Sequence, residues 1–440
     1  MLKLLRSIGR KFAFPMTSAP PSPLIVVAGC TGTGKSDLGV AIAQRFNGEI
    51  ISADSMQIYK GLDIVTNKIT PDEAKDVPHH LMSFVDAQTD DYNVHLFQRD
   101  ALRLIDEIRA RNRLPILVGG TAYYIEAVMY RDALVQLENH EEAAAKLRPS
   151  LRKKSAAELY RQLQELDPEA ARRVHPNNHF RVLRALEICL ASGGKKSDLH
   201  GAQKTLRFPQ TLLLILDADA EVLDARLDKR VEKMKERDVL KELDDYFQQH
   251  KSVLGAFGVK QSIGIKEFAP YLQLSAEERT AKTSGKLLEK CFDDLKLHTR
   301  QYSRKQRSWF VQRFLRRGKL REVPNCMVLN TSTDFFEGVV PFALERVEEF
   351  FRVGSVLQTE GPFVVSNRFP RIDDDDYAAK ANAVFFCDTC GIHVHGADQF
   401  AKHLNGKVHR RGVREAEKRK AAELNANSDS NPPESSSSST

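Results

Sequence analysis

Short apolar runs that end in glycine or polar turns alternate along the chain with longer stretches whose apolar residues recur every three or four positions. That alternation predicts an α/β fold with a parallel sheet. Leu24–Ala28 is a continuous apolar run ending in a glycine loop, as a strand buried on both faces requires. Glu49–Ala53, Pro115–Val118 and Thr211–Leu216 read as further strands, with Asp37–Phe46 and Asn93–Arg111 as helices between them. From Glu138 to Lys204 the pattern turns helical, polar and basic, which reads as an insertion carried by the sheet domain, and helical patterns run again from Ala220 to about Arg317. The chain therefore divides into 1–23 (basic start and Pro/Ser linker), 24–137 (first part of the core), 138–204 (insertion), 205–352 (second part of the core, with basic helices), 353–380 (linker with the run Asp373–Asp376), 384–412 (a compact Cys/His motif) and 413–440. The last segment, basic and then Ser-rich, is expected to be disordered.

Composition adds bounds. With 440 residues, 42% hydrophobic and 28% charged, the chain can build two or three domains with a sizeable core. No apolar run approaches the ~18 residues that span a bilayer. A formal charge of +7 fits a polyanionic partner and equally an ordinary soluble surface. The six cysteines are scattered apart from one CxxC pair, a usage that favours a reducing compartment over a disulfide framework. The first acidic residue is Asp37. Before it, Lys3, Arg6, Arg10 and Lys11 interleave with Leu4, Leu5, Ile8 and Phe12, which share a helical face. This reads as a mitochondrial presequence, the alternative being a basic tail. A start at Met16 would remove it and give a cytoplasmic or nuclear form.

The first apolar strand runs into Gly29-Cys30-Thr31-Gly32-Thr33-Gly34-Lys35-Ser36, the GxxxxGKS pattern between a strand and a helix. The glycines let several backbone N–H groups point at one anion, the helix beginning near Lys35 adds its positive end, and Lys35 adds a point charge. The Ser36 hydroxyl can hold a magnesium ion that bridges phosphate oxygens. Such a cradle specifies a diphosphate or triphosphate and leaves the reaction open. Asp54 closes the next strand, where open α/β sheets bind ligands. It could hold magnesium, act as a general base on a nucleophile, or cap a turn. Gly119-Gly120-Thr121 closes another strand and puts a hydroxyl at the same edge.

Several of these stretches occur together in one order: the P-loop with Thr31; Asp54-Ser55-Met56-Gln57-Ile58-Tyr59; Gly61-Leu62-Asp63-Ile64; Gly119-Gly120-Thr121; His175-Pro176-Asn177 with Arg181 through Glu187; Ser262 through Glu267; and Thr299 through Gln306 with Trp309-Phe310. In that order they resemble the tRNA dimethylallyltransferase (tRNA isopentenyltransferase) family over residues 24–318. The chain departs from the family's common pattern at Cys30, where bacterial members often have Pro, and at Ile265, where many have Tyr.

The resemblance implies that the P-loop holds dimethylallyl diphosphate and that the acceptor is the exocyclic amine of the adenosine immediately 3′ of the anticodon, flipped out of its stack. It implies that Thr31 and Arg230 join Lys35 on the leaving diphosphate and that Asp54 is the base. The resemblance implies tRNA contacts for Asp54, Ser55, Met56, Gln57, Thr121 and Arg181, with Asn178, His179 and Phe180 beside the last, and a monomer. Without it, Arg230 reads as a solvated helix arginine. Two basic clusters suit a polynucleotide. One is Arg172, Arg173, His175, His179, Arg181 and Arg184. The other is Arg300, Arg304, Lys305, Arg307, Arg313, Arg316 and Arg317, interleaved with Tyr302, Trp309 and Phe310. As isolated patterns, both also read as solvated helix faces.

Cys387-x2-Cys390-x12-His403-x5-His409 has the spacing of a tetrahedral zinc site, with Phe386, Phe400 and Leu404 as its expected small core. The finger resembles the type found in RNA-binding proteins and the appendage of eukaryotic family members. Arg410, Arg411, Arg414, Lys418, Arg419 and Lys420 follow it, so it reads as an accessory RNA contact, a protein-binding finger or part of a nuclear-localisation patch. Two other functions compete for the whole chain: a P-loop kinase of small metabolites, and a non-enzymatic RNA-binding protein on an inactive P-loop domain. The kinase leaves the basic helices and finger unexplained; the inactive domain conflicts with an intact Lys35, Ser36 and Asp54.

Overall fold

The computed structural model describes residues 23–89, 92–131, 133–134, 141–200, 205–250, 258–315, 322–355, 361–364 and 384–428. Residues 1–22 with Met16, Arg316, Arg317 and the run Asp373–Asp376 lie outside the described residues.

Six parallel strands form one sheet: β1 (Leu24–Gly29), β2 (Gly48–Ser52), β3 (His79–His80), β4 (Leu114–Gly119), β5 (Thr211–Asp217) and β6 (Asn325–Asn330), in the order β3-β2-β4-β1-β5-β6. β1 pairs with β4 through Ile25 and Ile116 and with β5 through Leu24 and Thr211. Its apolar run is unbroken because both faces are covered. Leu24, Val26 and Ala28 pack with Phe97, Ile105 and Ile108 of the helix Val94–Ala110, and Ile25 and Val27 pack with Leu38, Ile42 and Phe46 of the helix Lys35–Phe46. The second face is completed by Val339, Ala343 and Val347 at the helix Val340–Val353.

Four strands and both early helices lie within a residue or two of their expected bounds. Two strands escape the sequence pattern for physical reasons. β3 is two half-buried histidines. β6 is bracketed by asparagines, leaving the run Cys326–Leu329 too short to stand out. The helix Lys407–Ser428 runs through the first part of the segment after 412, which the sequence reads as disordered, and residues 429–440 lie outside the described residues. The helix's Arg, Glu, Lys and Ala are strong helix formers, and Arg411 and Glu415 face each other one turn apart.

The chain folds as two compact units, with the sheet in one and the residues 135–202 and 373–440 in the other. In the sheet unit a third apolar cluster joins Ile58, Tyr59, Leu62 and Val65, after β2, to Val231, Leu243, Phe268 and Leu295 of the downstream helices. Ile265, in the stretch whose role the sequence leaves open, is part of this core and 2% exposed. Glu242 accepts hydrogen bonds from the backbone N–H groups of Ile64 (2.7 Å) and Val65 (2.9 Å). The buried Lys68 ammonium donates to Tyr59 O, Gly61 O, Asp63 and Ser83, all within 2.8 Å. These contacts hold the segment that follows Asp54.

In the other unit, the insertion has its own core of Leu159, Leu163, Val182, Leu183 and Leu186. Its helix Ala156–Leu166 starts with a capping box, Ser155 and Glu158 exchanging side-chain and backbone bonds.

Candidate active site and metal centre

The P-loop, Asp54 and Thr121 follow β1, β2 and β4, so all three lie at the carboxyl edge of the sheet. The chain passes from β1 to β2 and later returns to place β4 between them. The crevice therefore opens beside β1, as the switch-point rule requires. Gly34 has φ +86°, and a Cβ there would lie 2.4 Å from the Phe335 ring. The loop closes on itself through Cys30, whose carbonyl accepts from Thr33 Oγ1 (2.8 Å) and Lys35 Nζ (2.8 Å). The Arg230 guanidinium hydrogen-bonds the Thr31 hydroxyl. The Ser36 side chain is exposed at the mouth of the loop.

Two cations thus face one loop. Burial, then the Arg230 charge, lower the Lys35 pKa to about 8, against the pull of Cys30 and Asp54. Burial likewise lowers the Arg230 pKa. Asp54 moves the other way: burial raises its carboxyl above the usual range, although the Met56 N–H (3.0 Å) and the Lys35 charge oppose the shift. A carboxylate made more basic by its surroundings, beside a cationic anion cradle, is an arrangement for taking a proton from a nucleophile that attacks a phosphorylated ligand.

Thr121 accepts from the Ser55 N–H at 3.0 Å and its N–H donates to Ala53 O at 3.1 Å, so the β4 loop and the Asp54 loop are tied together. Gly119 permits this approach: a Cβ there would lie 2.2 Å from Ala53 O. Gln57 donates its amide to the carbonyls of Thr66 (3.2 Å) and Asn67 (3.1 Å). Met56 precedes it in the same half-buried turn.

The second basic cluster is more neutralised than its sequence suggests. Arg300 pairs with Asp228, Arg304 with Asp224, and Arg313 with the buried Glu126. Arg307 makes two bonds to Asp217 at the end of β5, 2.8 and 2.7 Å. Lys305 and Trp309 are exposed, and Tyr302 meets Trp309 edge to face at 6.2 Å. Phe310 cannot stack on a base, since it is 2% exposed and packs under the sheet. Sequence reasoning missed two partners here. Asp217 ends an otherwise apolar strand, the signal that could have found it. Gln306 lies in the matched stretch Thr299–Gln306, but nothing in that stretch signals that it joins two loops.

In the insertion, Asn178 caps the helix His179–Ser192 by accepting from the Arg181 N–H at 3.1 Å. Phe180 and Arg181 lie exposed on its first turn and His179 is half-buried. Arg184 pairs with Glu187, which also holds Arg148, and Arg173 pairs with Glu169. Arg172 is exposed and His175 accepts from the Asn177 N–H.

The finger is a hairpin of β7 (Val384–Cys387) and β8 (Ile392–His395) followed by the helices Ala397–Leu404 and Lys407–Ser428. The candidate ligand atoms of Cys387, Cys390, His403 and His409 all lie within 4.8 Å of one another. His403 Nε2 is buried without a hydrogen-bond partner, the condition of a nitrogen meant for a metal. Two thiols and two imidazoles at this separation suit tetrahedral zinc. The expected finger core is corrected in one position. Phe385, not Phe386, stacks on Phe400, with ring centres 5.0 Å apart, while Phe386 and Leu404 are 48% and 39% exposed. Alternation along β7 puts Phe385 on the Cys387 face and Phe386 on the other.

An open parallel sheet, a P-loop and a basic carboxylate on the adjoining strand end define a P-loop enzyme of phosphorylated substrates. The IPP transferase family model matches residues 57–313, and the chain belongs to that family. It is 37% identical over 410 residues to the tRNA dimethylallyltransferase of Homo sapiens, covering 88% of this chain and 85% of that protein. To the tRNA dimethylallyltransferase of Schizosaccharomyces pombe it is 33% identical over 439 residues, covering 90% and 96%. A crystal structure of a eukaryotic dimethylallyltransferase acting on tRNA matches with TM-score 0.73 at 29% identity, over 91% of this chain and 98% of that one. The full-length tRNA isopentenylpyrophosphate transferase of Bacillus halodurans matches with TM-score 0.51 at 32% identity, over 76% and 99%.

Proposed function

We propose that the protein transfers the dimethylallyl group of dimethylallyl diphosphate to the exocyclic amine of the adenosine immediately 3′ of the anticodon in tRNA. The observation that carries this is the basic carboxylate of Asp54 at the strand end beside the Lys35 and Arg230 cradle, in a chain of the IPP transferase family. The amine attacks the allylic carbon, a C–N bond forms, the allylic C–O bond breaks and its electron pair leaves on diphosphate. Asp54 takes the proton that the amine sheds. The amides of Gly29, Cys30, Gly32, Thr33 and Gly34, with Thr31, Lys35 and Arg230, receive the growing negative charge, which is where preorganised donors lower a barrier most. Magnesium on Ser36 would add charge to the same oxygens.

Ser55, Met56 and Thr121 sit beside Asp54, where the flipped base would be held. Arg181, with Asn178, His179 and Phe180, and the Arg300 and Arg304 face are the proposed contacts to the rest of the tRNA. Zinc on the four finger ligands would organise the accessory RNA contact. A monomer suffices for this chemistry. The acid-free basic start supports a mitochondrial form and Met16 a cytoplasmic or nuclear one; a reporter carrying residues 1–22 that stays in the cytosol would remove the first.

The test is incorporation of labelled dimethylallyl diphosphate into total tRNA with magnesium, for wild type and Asp54→Ala. Label with wild type alone supports both reaction and base. No label with either, in the presence of ATP turnover without tRNA, would move the protein to the small-metabolite kinases. Tight tRNA binding with neither activity would make it a non-enzymatic RNA-binding protein.

A further inference from the structure

The long helix Lys282–Phe310 carries Gln306 between two loops at the carboxyl edge of the sheet. Gln306 is 1% exposed. Its Oε1 accepts from the backbone N–H of Thr31 at 2.9 Å, and its Nε2 donates to the carbonyl of Gly120 at 3.0 Å. One amide therefore holds two loops that are separate in sequence, the diphosphate cradle and the loop that carries Thr121. The fit is close: a Cβ on Gly120 would lie 2.4 Å from Gln306 Nε2, so the second glycine of Gly119-Gly120 makes room for this amide. Tyr302, one turn earlier on the same helix, adjoins both Gln306 and the Asp54 charge.

We infer that Gln306 is a positioning residue for the transfer, fixing the distance between the leaving diphosphate and the base that receives the proton. The inference rests on the proposed reaction. The physical basis is the geometry of the amide. Its carbonyl satisfies a P-loop N–H and its NH2 satisfies a strand-end carbonyl, so the two halves of the site are referenced to one rigid planar group. Thr31 carries the hydroxyl that meets Arg230, and Thr121 carries the hydroxyl that receives the Ser55 N–H. A shift of either loop therefore moves a substrate-facing group, and small misplacements in a near-attack geometry are costly. An acid in place of the amide discriminates alignment from mere packing. A carboxylate accepts from Thr31 but repels the Gly120 carbonyl, whereas the protonated acid restores both bonds.

The experiment is steady-state transfer to tRNA by wild type, Gln306→Met and Gln306→Glu from pH 5 to 8.5, with thermal melting and tRNA binding measured on each; the range reaches down toward the ordinary carboxyl value of ~4.3 because burial at this position raises the introduced acid above it. Gln306→Met should lower kcat/KM by about tenfold or more, through kcat and the diphosphate KM, with tRNA affinity within about twofold of wild type. Gln306→Glu should be as poor as Gln306→Met at high pH and recover relative to wild type as pH falls. A folded Gln306→Met with wild-type kinetics overturns the inference, and so does a Gln306→Glu defect that keeps a constant ratio to wild type at every pH. Should Gln306→Met fail to fold, the pH-dependent ratio for Gln306→Glu decides. If the wild type itself transfers nothing, the proposed function fails instead, and the two failures are distinct.

Discussion

Arg230 hydrogen-bonds the Thr31 hydroxyl across 199 positions of sequence. The helix Ala220–Glu236 that carries Arg230 follows β5, the strand beside β1, so the sheet itself delivers the guanidinium to the P-loop. A fixed charge that meets the loop at a hydroxyl is placed for an anion that forms there during reaction. Arg230→Gln should keep the fold, raise the KM for dimethylallyl diphosphate and lower kcat, together about 10²–10³ in kcat/KM, the scale of removing one preorganised donor. Initial rates at varied donor and saturating tRNA check it; an unchanged donor KM and kcat would return Arg230 to the solvated helix arginine that its local sequence suggests.

Asp54 should show its role in the pH profile. Its pKa is raised by burial, so the carboxylate base is present above that raised value and lost as pH falls through it. The acid limb of kcat/KM should therefore sit above the ordinary aspartate range. Asp54→Asn should cost about 10²–10⁴ in rate, flatten that limb and leave tRNA binding intact. An acid limb that persists unchanged in the variant would assign it to another group.

Lys35 sets the opposite limb. Its pKa is lowered to about 8 by burial and then by Arg230. Below that value the lysine is charged and attracts diphosphate; above it the charge is lost. Inorganic diphosphate should bind more weakly as pH rises through about 8, and binding above that pH should take up a proton because the bound anion pulls the pKa back up. Calorimetry in two buffers of different ionisation enthalpy measures this uptake, and its absence at high pH would mean that Lys35 stays charged throughout.

How much of this was legible in the sequence follows from how local each signal is. The P-loop, Asp54 and Gly119-Gly120-Thr121 are short strings at the ends of apolar runs, and the structure puts all of them at one sheet edge. Arg230 needed the family resemblance, because a helix arginine looks alike whether it faces water or a site. The basic helix misled in the other direction: Arg300, Arg304 and Arg307 read as a free cationic face, yet each meets an aspartate from a segment about 70 to 90 positions earlier. Phe310, interleaved in sequence with the basic residues, is core, because the face of a long helix that turns inward is decided by what packs on it. Gln306 was invisible as a link, since both partners are backbone atoms and leave no trace in sequence.

The finger yields the last prediction. Its described ligands sit on a hairpin and two helices with little apolar core beyond the Phe385–Phe400 stack, and both Phe386 and Leu404 are substantially exposed. So small a core cannot offset the entropy of ordering the segment, and metal binding has to supply the difference. Cys387→Ser, or chelation of the wild type, should therefore unfold the finger while the sheet unit, with its separate core, keeps its melting transition. If the finger serves RNA, the affinity for tRNA should fall by about 1–3 kcal/mol, mostly as lost phosphate contacts from the basic helix Lys407–Ser428. Single-turnover transfer at saturating tRNA should remain, since none of the proposed reacting groups lies in the finger. Zinc content, tRNA binding at several salt concentrations and a single-turnover rate measured on the same preparation separate the outcomes. Unchanged tRNA affinity with zinc lost would leave the finger to a protein partner, and loss of the single-turnover rate would show that the finger acts in the chemistry after all.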